Sequence, residues 1–498
     1  MQAALLMKKR GFEPVIFEAS GTLGGSAILA SKAPCKHMAQ EFVDTQIAEM
    51  QEYGIEVHLN TPGTVARIQT LEPYCVVVAC GGNQIIPGVP GADRDNVYYI
   101  EDVLLGKVQF AGKKIAVIGA GPAGLSCAYY LAVKGYPVTV FEKESVPGGM
   151  LTLGIPSFRL EKDVVNAEID VLKELGVEFR FGVEVGKNMT LDALRADGYK
   201  AIYLAVGASK GTPAGCPGDD LKGVFTGVEF LRAVNLGKRP TIGKKVAVIG
   251  GGNVAIDVAR AAVRRGADVT LLYRRGREEM PAADEEVAEA EAEGVKFRFL
   301  CAPVEILGEK GKATAVKVET MTLGEPDEKG RRKPVGTGKF ETIEVTSVIG
   351  AIGQRVDLGH IAPEAMAFNR NGTVQVDGVT YQTAQPDVFA GGDVVTGPKF
   401  AIDAIAAGRE GAVSLHRFVH DGQSLTLARD PREFYELDKK NAVLPIDCFD
   451  APARQTVAHD ASKAKTFSND RITFTEAQVK AEASRCLGCG VSVVDPNK

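Results

Sequence analysis

A short apolar strand running straight into a glycine-rich turn recurs along this chain, and that recurrence constrains the fold more than any other feature. The segment GKKIAVIG from Gly112 returns almost unchanged as GKKVAVIG from Gly243. Upstream, Phe17-Glu18 followed by Gly24-Gly25 matches Phe141-Glu142 followed by Gly148-Gly149 at one constant offset. Ala79-Cys80-Gly81-Gly82 likewise parallels Ala205-Val206-Gly207-Ala208, and Pro90-Gly91 parallels Pro217-Gly218. Repetition on this scale means one supersecondary unit used in series. Strand, glycine turn, helix and strand make a βαβ unit, so three such units on parallel sheets are predicted.

Carried backwards, the offset puts the counterpart of Gly124 just before Met1. The first copy then starts with its helix and lacks its first strand and turn. In a sheet of this kind that strand sits centrally and its turn holds a pyrophosphate. Residues 1–112 are therefore expected to form an incomplete, truncated module with a gap in its sheet and no bound dinucleotide. A diverged structural domain is the alternative.

Composition narrows the class. The 498 residues carry a net charge of -5, which leaves no basic footprint for nucleic acid or an anionic membrane. Nine cysteines, an odd number and mostly scattered, speak against a secreted disulfide framework and for a reducing, cytoplasmic setting. The uncharged stretch from Ile115 to Val133 is long enough for a membrane span. Its Gly119, Gly121, Pro122 and Gly124 place it instead at a strand-to-helix junction.

Two of the turns carry chemistry. V-I-G-A-G-P-A-G sets Gly119 for the tight turn, Gly121 for close backbone approach to a pyrophosphate and Gly124 for helix-on-strand packing. Glu142, at the end of the next strand, can accept hydrogen bonds from ribose hydroxyls. V-I-G-G-G-N-V-A repeats the pattern with Gly250, Gly252 and Ala255. Its next strand ends at Arg274-Arg275, where an NAD-binding unit would carry an acid. Guanidinium groups there suit a 2′-phosphate, so NADPH is predicted over NADH. The predicted fold is α/β, with two dinucleotide-binding Rossmann-type domains and the incomplete module. Their bounds are 1–112, 113–236, 237–375, 376–420 and a tail 421–498.

Phe389-Ala390-Gly391-Gly392-Asp393 resembles the stretch that closes the FAD site in two-dinucleotide flavoprotein reductases. The resemblance narrows over GGMLTLGIPSFRL (Gly148–Leu160), VIGGGNVAIDVAR (Val248–Arg260), LYRRGREEMPA (Leu272–Ala282) and AGGDVVTGP (Ala390–Pro398). Across about residues 112–420 the chain is similar to the glutamate synthase small-subunit family. Residues 1–112 resemble the flavin domain of 2,4-dienoyl-CoA reductases of the old-yellow-enzyme family. The first resemblance implies an FAD domain split by an inserted NADPH domain. It implies cofactor contacts from Gly119, Gly121, Pro122, Ala123, Gly124, Glu142, Gly148, Gly149, Arg159, Gly207, Gly392 and Asp393. Toward the second nucleotide it implies Gly250, Gly252, Asn253, Val254, Ala255, Arg274, Arg275 and Gly353, with Glu286 near the nicotinamide ribose. The rest of the acidic run Asp284–Glu293 is read as a solvated helix face.

Near the end, Arg485-Cys486-Leu487-Gly488-Cys489-Gly490 resembles the segment that precedes ferredoxin-like modules in relatives. Cys486 and Cys489 can supply half of a [4Fe-4S] cluster completed outside this chain; a partner-completed or zinc site and inert thiols are the alternatives. The expected reaction is hydride transfer from NADPH to FAD, with electrons passed on to an iron–sulfur or flavin-containing partner. No side chain is assigned as catalytic, because the cofactors carry the chemistry. The rivals are a fragment of an enoate reductase and a non-catalytic flavoprotein remnant.

Overall fold

The computed structural model describes residues 1–33, 36–82, 88–90, 97–105, 112–326, 332–359, 361, 366–420, 422–429 and 453–485. The chain divides into two compact units, Met1–Ala111 and Gly112–Lys498.

In the larger unit, the first repeat builds a parallel sheet ordered Val388–Ala390, Ala201–Leu204, Ile115–Ile118, Val138–Glu142, Glu178–Phe181. Ile115–Ile118 is central and buried along its whole length, which is why it reads as an unbroken apolar run rather than an alternating one. Ile115 and Val117 point into one core with the helix Pro122–Ala132, while Ala116 and Ile118 point into another on the opposite face. Pro122 opens that helix at a position where its missing N–H costs nothing. The helix Ala401–Phe418 packs along it, and Tyr203 of the sheet donates its hydroxyl to the Ala407 carbonyl at 2.9 Å.

The second repeat builds a second parallel sheet, ordered Lys296–Phe299, Asp268–Tyr273, Lys245–Ile249, Ser347–Gly350, Val224–Thr226. Val246 and Val248 face the helix Asn253–Arg264; Ala247 and Ile249 face a three-stranded antiparallel sheet formed by Cys301–Glu309, Lys312–Pro326 and Arg332–Glu344. Residues ahead of 237 join this sheet. Val224–Thr226 pairs with Ser347–Gly350, and the following helix Gly227–Asn235 buries Phe230 and Leu231 in the second core. Val374, ahead of 376, donates its N–H to the Val394 carbonyl and shares the first sheet's core with Ile118.

The smaller unit pairs Val15–Phe17 with Glu56–His58 in parallel and buries Ala4, Leu5, Met50 and Ile55 between helices that include Gln2–Lys9 and Met38–Glu52. Its glycine pair repeats the larger unit's backbone: φ is +110° and +48° at Gly24 and Gly25, against +103° and +54° at Gly148 and Gly149. The counterpart of the buried strand Ala201–Leu204 behaves differently. Val76, Val77 and Val78 are exposed, and their segment makes no strand.

Candidate cofactor site

Parallel strands of one sheet end on the same edge, and in this larger unit their C-terminal ends open onto one cavity of about 980 Å³. Ile118, Phe141, Glu142 and Ala205–Ser209 form its floor. Gly119, Gly121, Pro122 and Ala123 of the first glycine turn line it, together with Gly149, Gly207, Gly353 and Asp393. From the second repeat, Asn253, Val254 and Asp257 reach the same cavity.

The glycines divide by what surrounds them. At Gly119 φ is +104°, and a Cβ would sit 2.4 Å from the Ala205 carbonyl oxygen. At Gly124 a Cβ would lie 1.9 Å from the Gly119 carbonyl oxygen, so helix and turn touch backbone to backbone. Gly121 meets nothing nearer than 3.9 Å and opens toward the cavity. Gly250 and Gly252 repeat this contrast: a Cβ on the first would lie 2.3 Å from the Ala351 oxygen, and on the second 3.9 Å from Pro281. Gly124, Gly148, Gly392 and Ala255 shape the turns from behind and do not line the cavity.

Glu142 is buried at the strand end. Its Oε2 accepts the Ala120 N–H at 2.7 Å and its Oε1 the Glu144 N–H at 2.9 Å. Burial raises its pKa, while the two backbone donors act against that rise. Asp393 is pushed upward by its own burial, opposed by the Lys399 N–H at 3.2 Å. The helix Ala401–Phe418 begins at this wall, with Phe400 and Ala401 lining the cavity.

Between the two turns lies a charged cluster. Arg159 donates from Nη1 to both Asp257 oxygens at 2.7 Å and from Nη2 to Glu286. Asp257 is 5% exposed, and burial lifts its carboxyl to about 6 against the pull of Arg159. Two buried acceptors nearby, Asn253 Oδ1 and Glu286 Oε2, have no hydrogen-bond partner. Farther along the second sheet, Arg274 is exposed at the end of its strand and Arg275 keeps a buried Nε without a partner. Neither arginine lines the cavity. Cys486 and Cys489 lie outside the described residues.

Asp257 was missed by the sequence reading. Its signal was available: a carboxylate four residues after Asn253, in a stretch otherwise of Ala, Val and Ile. The solvated-face reading of Asp284–Glu293 is corrected. In the helix Asp284–Ala292, Val287 and Ala290 are buried, and Glu289 and Glu293 bind Arg260 and Arg264 of the helix across from them. Among the described residues the free cysteines are Cys75, Cys80, Cys127, Cys216 and Cys301, and none lines the cavity. Among the described residues, no helix is long and apolar enough to cross a membrane.

Comparison with known proteins agrees with this arrangement. The family model described as pyridine nucleotide-disulphide oxidoreductase matches residues 1–187 and 113–408. The NADP(+)-dependent formate dehydrogenase subunit beta of Moorella thermoacetica is 43% identical over 391 residues, which is 76% of this chain and 55% of that subunit. The glutamate synthase [NADPH] small chain of Escherichia coli is 38% identical over 324 residues, 61% of this chain and 68% of that protein. The chain thus spans little more than half of the formate dehydrogenase subunit. The solved structure of Mycobacterium tuberculosis FprA in complex with NADPH superposes with a TM-score of 0.54 at 22% identity, covering 62% of this chain and 84% of that one, a likeness of fold.

Proposed function

The chain belongs to the pyridine nucleotide-disulphide oxidoreductase family, in its glutamate synthase small-chain branch, and from that premise we propose that it takes hydride from NADPH onto a bound FAD and hands the electrons to a partner. The observation that carries the reading is a single cavity lined from both glycine turns, by Gly119, Gly121 and Glu142 on one side and by Asn253 and Val254 on the other.

The residues present fit a dinucleotide flavin. Gly121 leaves room for a pyrophosphate where a side chain would intrude, and the helix Pro122–Ala132 aims its N-terminus at that place. Glu142 fixes the turn by accepting Ala120 N–H and keeps acceptor capacity for ribose hydroxyls. Bound there, the flavin supplies the hydride acceptor that no side chain can provide. The N-terminus of Ala401–Phe418 places positive dipole at the cavity wall, which favours negative charge on a reduced ring. Asn253 Oδ1, buried without a partner, can accept an amide N–H of a nicotinamide. Arg274 and Arg275 read a 2′-phosphate. Among the described residues, no cysteine lines the cavity.

One relative is a subunit by name and another a small chain, and a partner subunit with an iron–sulfur or flavin centre is the acceptor we assign here. Cys486 and Cys489 are proposed to contribute to that route, and the chain is proposed to work in the cytoplasm. The test is direct. The purified chain is supplied with FAD, freed of excess, and mixed anaerobically with NADPH or NADH. Bleaching of the flavin band, faster with NADPH, is expected; a protein that stays colourless, or a flavin neither nucleotide bleaches, overturns the reading.

A further inference from the structure

One wall of the cavity is a short non-repetitive strip, and its backbone is held from two directions. Met150, Leu151, Leu153, Gly154 and Ile155 line the cavity between the first glycine turn and Arg159. The strip begins as the four-residue helix Met150–Leu153, too short to hold itself together by its own ladder. Its carbonyls therefore need outside donors. Lys162 Nζ donates to the Leu151 oxygen at 2.7 Å and to the Ile155 oxygen at 2.5 Å. Asn235 Nδ2 donates to the Leu153 oxygen at 2.9 Å and to the Ile155 oxygen at 3.2 Å.

The two donors come from different parts of the fold. Lys162 opens the helix Lys162–Glu174, which follows the strip in sequence. Asn235 ends the helix Gly227–Asn235, whose core residues pack in the second sheet's cluster. The strip is thus tied both to the first glycine turn's side and, through the helix Gly227–Asn235, to the core that the helix Asn253–Arg264 shares.

We propose that Lys162 and Asn235 are positioning residues for hydride transfer, clamping the Leu151, Leu153 and Ile155 carbonyls so that the cavity wall holds flavin and nicotinamide at reacting distance. This rests on the function proposed above. Small displacements of a reacting pair are costly, so a wall set by four hydrogen bonds is a direct control on the rate. The lysine adds a pH dependence. Burial lowers its pKa to about 8, opposed by Asp257. The charges bearing on that corner are Asp257 on Asn253–Arg264, Arg159, which pairs with it, and Glu286 on Asp284–Ala292. An ammonium donates stronger bonds to carbonyls than a neutral amine. The clamp therefore weakens as pH rises past that value.

The experiment uses the full chain loaded with FAD and mixed with NADPH in single turnover, from about pH 6 to about pH 10. The wild type, Lys162→Met, Lys162→Arg and Asn235→Ala are compared, with the visible circular dichroism of the bound flavin as a second readout. Lys162→Met and Asn235→Ala are each expected to lower the limiting reduction rate about tenfold, with the NADPH concentration for half-saturation nearly unchanged. Their flavin dichroism should shift. The wild-type limiting rate should fall above about pH 8, whereas Lys162→Arg keeps most of the rate and loses that fall. Unchanged limiting rates in both Lys162→Met and Asn235→Ala, or the same alkaline fall in Lys162→Arg, overturn the clamp while leaving the proposed function standing. A wild type that NADPH cannot reduce overturns both.

Discussion

Arg274 and Arg275 stand where the strand Asp268–Tyr273 ends, one exposed and one with a buried nitrogen lacking a partner. A guanidinium in that state has little to lose and a phosphate to gain. Each charge-assisted hydrogen bond is worth about 1.5–3 kcal/mol. Arg274→Ala with Arg275→Ala should therefore raise the dissociation constant for NADPH by at least about tenfold. The constant for NADH should barely move. Titration of flavin reduction against each nucleotide checks this, and equal losses would remove the assignment. Asp257 gives a second expectation. Its folded-state pKa, about 6, stands above the ordinary 3.8, so the fold binds that proton more tightly than the unfolded chain. The contribution is complete below about pH 3.8 and is lost as pH rises through about 6, an effect on the order of 3 kcal/mol. Urea unfolding at stepped pH should show stability falling across that window from this group. Asp257→Asn should flatten the fall; an unaltered slope would mean that other groups set it.

At the scale of elements, the two glycines of one turn make opposite demands. Gly124 has the Gly119 oxygen 1.9 Å from where its Cβ would be, whereas Gly121 has open space toward the cavity. Gly124→Ala must push the helix Pro122–Ala132 off its strand and should cost about 1–3 kcal/mol of stability. Gly121→Ala has an extended backbone, φ −81° and ψ 179°, that alanine adopts freely. It should leave the melting temperature of the flavin-free protein unchanged and yet weaken FAD binding. Thermal melts beside flavin titrations separate the two, and a destabilised Gly121→Ala would show that its role is structural. These turns were legible in the sequence because their chemistry is local: spacing alone puts three positions on one bend. The 274–275 pair was legible for the same reason, as the residues where a predicted strand stops. Lys162 and Asn235 were not, because nothing local says that Asn235 meets the Ile155 carbonyl eighty residues away. Glu289 and Glu293 misled for the opposite reason. An acidic helix looks solvated until Arg260 and Arg264 arrive from another element.

For the whole molecule, the division at Ala111 and Gly112 sets two very different cores against each other. The smaller unit buries a short cluster around Leu5 and Met50 beneath a two-stranded sheet, and leaves Val76–Val78 exposed. The larger one has two five-stranded sheets, each with a core on both faces. Stability follows buried area, so Met1–Ala111 should unfold first. A ligand stabilises only what it binds, by about 2.7 kcal/mol at a hundred times its dissociation constant. All the lining residues of the cavity belong to the larger unit. Saturating FAD should therefore move the later transition upward by several degrees and leave the earlier one in place. Differential scanning calorimetry with limited proteolysis, assigning each transition by which fragment is cut, reads this directly. If both transitions rise together with FAD, the assignment of the flavin to the larger unit alone fails.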